Sequence, residues 1–66
     1  MPTVLHRHLR ELGYCNRGCR AFFARHGLDW PRFLREGIQA DKLEATEDAM
    51  ALRAVDHARA EHGRQQ

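Results

Sequence analysis

The chain has 66 residues, a formal charge of +2 and 42% hydrophobic residues. A chain of that length holds one domain, buries only about 60% of its unfolded surface, and has little room for a pocket that encloses a substrate. No stretch approaches the ~20 apolar residues of a membrane span, and no apolar core of a secretory signal precedes His6, Arg7, His8 and Arg10, so the expectation is an intracellular protein with reduced thiols.

The charge is uneven. Residues 1–38 carry seven arginines against Glu11, Asp29 and Glu36, for +4, whereas residues 39–66 carry four bases against six acids, for −2. Guanidinium groups in such a cluster suit bidentate contact with phosphate or carboxylate.

The periodicity is helical throughout, with no run alternating at period two that would mark a strand. A first helix is expected over 4–12, N-capped by Thr3, with Val4, Leu5, His8, Leu9 and Leu12 on its inner face and Gly13 as its stop. A second is expected over 17–26, capped by Asn16 and stopped by Gly27, with Cys15, Cys19, Phe22, Phe23 and His26 turned inward and Arg17, Arg20 and Arg25 outward. Gly18, in its first turn, costs up to about 1 kcal/mol relative to alanine and suits a place where another backbone comes close.

Asp29 caps a short third helix in which Pro31 is tolerated because the first turn has no acceptor for its missing amide hydrogen. Trp30, Phe33 and Leu34 face in, Arg32, Arg35 and Glu36 face out, and Gly37 is expected to end it in an αL cap with Ile38 folding back onto the helix. Asp41 and Glu44 have capping-box spacing for one short turn over 42–45. Thr46 then caps the longest helix, over 47–62, with Ala51, Leu52, Ala54, Val55 and Ala58 inward and Arg59 and His62 placed to suit the helix dipole. Residues 63–66 form a frayed tail. The expected architecture is therefore all-α: a small single-domain helical bundle over 1–66, with three main helices and one short helix.

The segment 13–38 concentrates the chemistry. Geometry argues against a metal site using Cys15, Cys19 and His26 together with His6 and His8, because Cys19 and His26 lie ~10 Å apart along a helix and zinc needs every ligand within about 2.3 Å. Cys15 and Cys19 could share an ion only if His6 or His8 completed it across a turn, and small buried cysteines are the commoner outcome. The same distance defeats a cysteine–histidine nucleophile, and no phosphate-cradling glycine loop or nucleophile elbow is present. The expectation is a non-enzyme with no cofactor, no metal and no small-molecule substrate. The corner over 22–38 has the helix–glycine turn–helix form of a DNA reader, in which Arg17, Arg20, Arg25, Arg32 and Arg35 would meet nucleic acid. Phe23 stands where such motifs place a small residue, and the second helix is barely two turns. The leading expectation is a protein-interaction surface anchored by Tyr14, Trp30 and Phe33, with Arg17, Arg20, Arg32 and Arg35 supplying charge complementarity.

The sequence LRELGYCNRGCRAFFARHGLDWPRFLREGI, followed by LEATEDAMA, resembles a family of short proteins of tailed phages and prophages. The resemblance covers most of the chain and implies a phage setting, in the host cytoplasm or the virion. Its implied role is that of a minor virion or assembly component, or a modulator of a host protein. The implied partner is then a phage structural protein or a host protein; the interaction reading of the residues themselves also allows the chain to act as a homo-oligomer. The resemblance carries over no catalytic residues.

Overall fold

Two residues near the N-terminus pair with two from the middle of the chain, and that pairing organises the rest. In the computed structural model, which describes residues 2–64 and the side chains of residues 2–61, β1 (Thr3–Val4) runs antiparallel to β2 (Ile38–Gln39). Thr3 lies opposite Gln39 and Val4 opposite Ile38. The Ala40 amide extends the ladder by donating to the Pro2 carbonyl at 3.1 Å. Around this clasp stand five helices: α1 (His6–Glu11), α2 (Asn16–Arg25), α3 (Trp30–Glu36), α4 (Ala40–Glu44) and α5 (Ala49–Arg64). The chain is a mostly helical globule whose five helices stand where the chain-order reading places helical segments, with a small sheet that periodicity does not predict.

The strand pair shortens the first helix. Val4 is fully buried in the ladder, so α1 begins only after Leu5. Its cap is not Thr3. The Nδ1 atom of His8 accepts the Leu5 amide at 2.8 Å, the backward half of a capping box. Asn16 is likewise not a cap: it is the first residue of α2, and its Oδ1 accepts from His6 Nε2 at 2.7 Å.

Asp29 does cap α3, accepting the Arg32 amide at 3.0 Å, and α3 ends at Gly37 as expected, though not in an αL cap: at φ 81° and ψ −175° Gly37 sends Ile38 straight into β2. Between α2 and α3, the Leu28 amide donates to the Phe23 carbonyl and the Gly27 amide to the Ala24 carbonyl, with Gly27 at φ 67°. These are the two crossed bonds of a Schellman stop, for which a left-handed glycine is the usual residue.

The last helix starts later than residue 47. Glu47 sits at φ 58°, outside helical space, while the Thr46 hydroxyl turns back to donate to the Leu43 carbonyl at 2.7 Å. Asp48 takes over as the cap, accepting the Ala51 amide at 3.0 Å. Gly63 and Arg64 lie within α5. The remainder of the expected tail, residues 65–66, and the predicted dipole role of the His62 side chain fall outside what the structure describes.

α5 packs against α4, α1 and β1, while α2 packs mainly on α3. The core between them holds Val4, Leu9, Phe23, Phe33, Leu43 and Val55, with Ala40, Ala51, Ala54 and Ala58 allowing close approach. Two residues expected inside are not: Leu34 is 47% exposed and Leu52 is 39% exposed. α3 is only seven residues long and spends its one covered face on Trp30 and Phe33. Leu52 lies on the flank of α5 away from Ala51 and Val55.

Candidate interaction surface

α2 is anchored to α3 by its aromatic side. Phe23 lies 4.8 Å from Phe33 and 5.2 Å from Trp30, ring centre to ring centre, and Trp30 lies 5.5 Å from Phe33. His6 closes the cluster edge-on at 5.9 Å from Trp30. Rings in these tilted and T-shaped pairs gain about 0.5–1.5 kcal/mol beyond their burial. This corrects the sequence expectation for Phe33. It is 2% exposed and forms part of the core, because the short α3 can cover only one face, so it offers a partner almost no surface. Trp30 is half-buried in the same cluster.

Since Phe23 ties α2 to α3, α2 does not close down on α5. An apolar cleft of about 280 Å³ remains between them, walled by Cys15, Cys19 and Phe22 on one side and by Met50, Ala51 and Ala54 on the other. Tyr14 lies at its end, and its hydroxyl donates to the Met50 carbonyl at 3.2 Å, bridging the α1–α2 loop to the first turn of α5. Met50 is 52% exposed. The inward cluster expected from periodicity is thus divided. Phe23 is buried, Cys19 and Phe22 are half-buried along the cleft, and Cys15 and His26 are exposed, with the His26 ring 4.4 Å from that of Phe22. Both thiols are free, and burial pushes that of Cys19 above the ordinary range, which lowers its reactivity. Among the described residues no three histidine, cysteine or acidic side chains converge as a metal site would require.

The arginines divide in the same way. Arg17, Arg20, Arg25 and Arg35 are exposed, and no ion pair engages them among the described residues. Arg25 lines the cleft; Arg17 and Arg20 stand elsewhere on α2 and Arg35 on α3. Arg32 instead faces Glu36 at 3.7 Å. Over residues 12–28 the chain carries three arginines and no acid. Across the cleft the charge reverses: Glu44 is paired with Arg59 at 3.0 Å, but Asp41, Glu47 and Asp48 still outnumber Lys42 over residues 41–48, and Asp48 lines the cleft from the α5 side.

A second polar cluster, absent from the sequence-based candidates, joins α1 to α5. The Arg7 guanidinium grips both carboxylate oxygens of Glu61, one contact measuring 2.6 Å. It also reaches Glu11 at 3.4 Å, and Glu11 pairs with His57 at 2.8 Å. Buried His8 has its Nε2 3.2 Å from Glu61 but lies outside good hydrogen-bond alignment. Only the i,i+4 pairs Arg7–Glu11 and His57–Glu61 could have hinted at it. The Arg7 hydrogen bond, and after it the His8 ring, hold the Glu61 carboxyl at about 2, against burial, which acts to raise it. The bond with His57 and the charge of Arg7 lower Glu11 in the same way.

A carboxylate that titrates lower when folded adds stability above the unfolded value near 4.5, and that stability disappears as pH falls through the folded value. Glu61→Gln is therefore expected to lower the urea midpoint at pH 7, with the gap to wild type narrowing below about pH 4.5 and closing near pH 2. A gap independent of pH would show that Glu61 acts through packing alone.

Comparison with family models, curated proteins and solved structures gives no match. The reading of the chain therefore rests on its own residues. No helix among those described is long and apolar enough to cross a membrane.

Proposed function

We propose that this protein is a non-enzymatic interaction module that docks on protein through the cleft between α2 and the start of α5. The setting we infer, from the resemblance of its sequence to short tailed-phage and prophage proteins alone, is that of a tailed phage, in the host cytoplasm or the virion, as a minor virion or assembly component or as a modulator of a host protein. The cleft itself carries the reading. A 66-residue domain has every reason to close its apolar surface, yet Phe22, Cys19 and Met50 stand open around about 280 Å³. Exposed apolar concavities rimmed by charge are the usual mark of a docking site. The anchors this favours are Tyr14, Phe22 and Met50, with Arg25 at the rim.

The exposure of unpaired Arg17, Arg20, Arg25 and Arg35 supports a second reading, a small helix-turn-helix-like DNA binder. Against it, α3 is seven residues long and Arg32, the first groove-facing candidate, faces Glu36.

The two readings part in one pair of measurements. A photo-crosslinking residue at Met50 is expected to capture protein in cells, while the same residue at Gln39, exposed on β2 and not among the cleft residues, captures none. The purified protein is expected not to bind duplex DNA at low salt. Binding whose log K falls against log salt with a slope of about −3.6, the value for four neutralised phosphates, together with no protein adduct at Met50, would give the function to DNA.

A further inference from the structure

We infer that the occupant of the cleft is a second copy of this chain, in a two-fold dimer; the inference rests on the interaction reading above and names the partner at that same site. Three observations lead to it. The first is the reversal of charge across the cleft. Arg25 lines it from the all-basic α2 side, and Asp48 lines it from the acidic α5 side. A cleft with oppositely charged lips is self-complementary under a two-fold axis running along it: the rotation brings the basic lip of one copy onto the acidic lip of the other. Closed dimers with this isologous form are the commonest protein assemblies.

The second observation is the shape of what must be filled. Met50 is 52% exposed at the lip of a cleft that is itself apolar. In the two-fold arrangement each Met50 packs against the α2 lip of the other copy at the mouth of its cleft, and its unbranched thioether suits an irregular gap. The molecule measures 34 × 21 × 21 Å. One long face is on the scale of the roughly 800 Å² per partner of a standard stable interface.

The third is Gly18, on the α2 lip. A Cβ built there meets nothing within 4 Å, and the residue does not adopt a left-handed backbone. Neither a turn nor a neighbour within this chain calls for glycine, although glycine weakens a helix. Close approach of a backbone from outside the chain gives the missing reason.

Sedimentation over a hundredfold concentration range tests the inference on the whole protein. Wild type is expected to pass from monomer to dimer, with weakening by added salt as the lip charges are screened. Arg25→Glu should raise the dissociation constant roughly tenfold or more. Asp48→Asn, which preserves the helix cap, should raise it in the same direction. Gly18→Leu is the decisive variant because it has open space and a better helix former. At concentrations where wild type is monomeric it should raise Tm, by up to about 5 °C, and at higher concentrations it should abolish the dimer together with the concentration-dependent rise in Tm that dimerisation brings. A wild type that stays monomeric, or a dimer indifferent to both Gly18→Leu and Arg25→Glu, overturns the inference. The Met50 crosslink separates the two levels of failure. An adduct of twice the chain mass supports the dimer; an adduct with a different protein overturns it but leaves the interaction reading standing; no adduct at all overturns both.

Discussion

Gly37→Ala is expected to cost about 2–6 kcal/mol, from backbone strain and overpacking together, and to open the clasp that holds the N-terminus to the middle of the chain. Gly37 sits at φ 81° and ψ −175°, a conformation essentially confined to glycine. A Cβ there would stand 2.6 Å from Thr3 Cγ2, 2.8 Å from Leu5 Cδ2 and 2.9 Å from the Val4 carbonyl oxygen. The side-chain atoms can turn away. The carbonyl cannot, because Val4 is fixed in its ladder opposite Ile38 and is fully buried. Relief requires β1 to move off β2, which uncovers Val4 and loosens the entry to α1.

Gly27→Ala is the matched comparison. It also has a left-handed backbone, at φ 67°, but no atom lies within 4 Å of the new methyl, so its cost should stay near the 1–2 kcal/mol of the conformation alone. Urea midpoints of the two variants should therefore fall well apart. Equal losses would mean that strain is everything and that the close approach of β1 contributes nothing.

Phe33→Ala should cost about 3–5 kcal/mol, the range for deleting a buried aromatic side chain. Phe33 is among the largest fully buried side chains and touches Phe23, Trp30 and His6. It also forms part of the floor of the cleft. At about 0.05–0.15 kcal/mol per residue, a chain of this size holds roughly 3–10 kcal/mol in all. The loss should therefore consume most of the stability, seen as a urea transition moved to low denaturant or as a chain unfolded at room temperature. Phe33→Leu keeps much of the apolar volume and should retain a cooperative transition. If Phe33→Ala left the midpoint nearly unchanged, the aromatic cluster would not be what joins α2 and α3 to the rest.

These two positions also show why some features could be read from the sequence and others could not. The α2–α3 corner was legible: Asp29 as a cap, Pro31 in the first turn, and Gly27 and Gly37 as stops each act within a few residues. The strand pair was not. Thr3 and Val4 have no period-two partner nearby, and only Ile38 and Gln39, far along the chain, make them strands. The burial of Phe33 and the exposure of Leu34 were equally hidden, since both fit the apolar face of a short helix. Which one is covered depends on where β1, α1 and α2 lie.

The arginine cluster and the aromatic content of residues 13–38 were visible at once in the sequence. The cleft was not, because it is the space left where Phe23 pulls α2 toward α3 and away from α5. By itself, then, the sequence determined that this is a small helical domain with an arginine-rich corner, because helical periodicity, caps and stops are encoded locally. Only the tertiary structure decided which apolar side chains stay open at a charged cleft, which arginines are paired and which glycine has no use inside its own chain. Those outcomes depend on contacts between residues distant in sequence, and no local pattern records them.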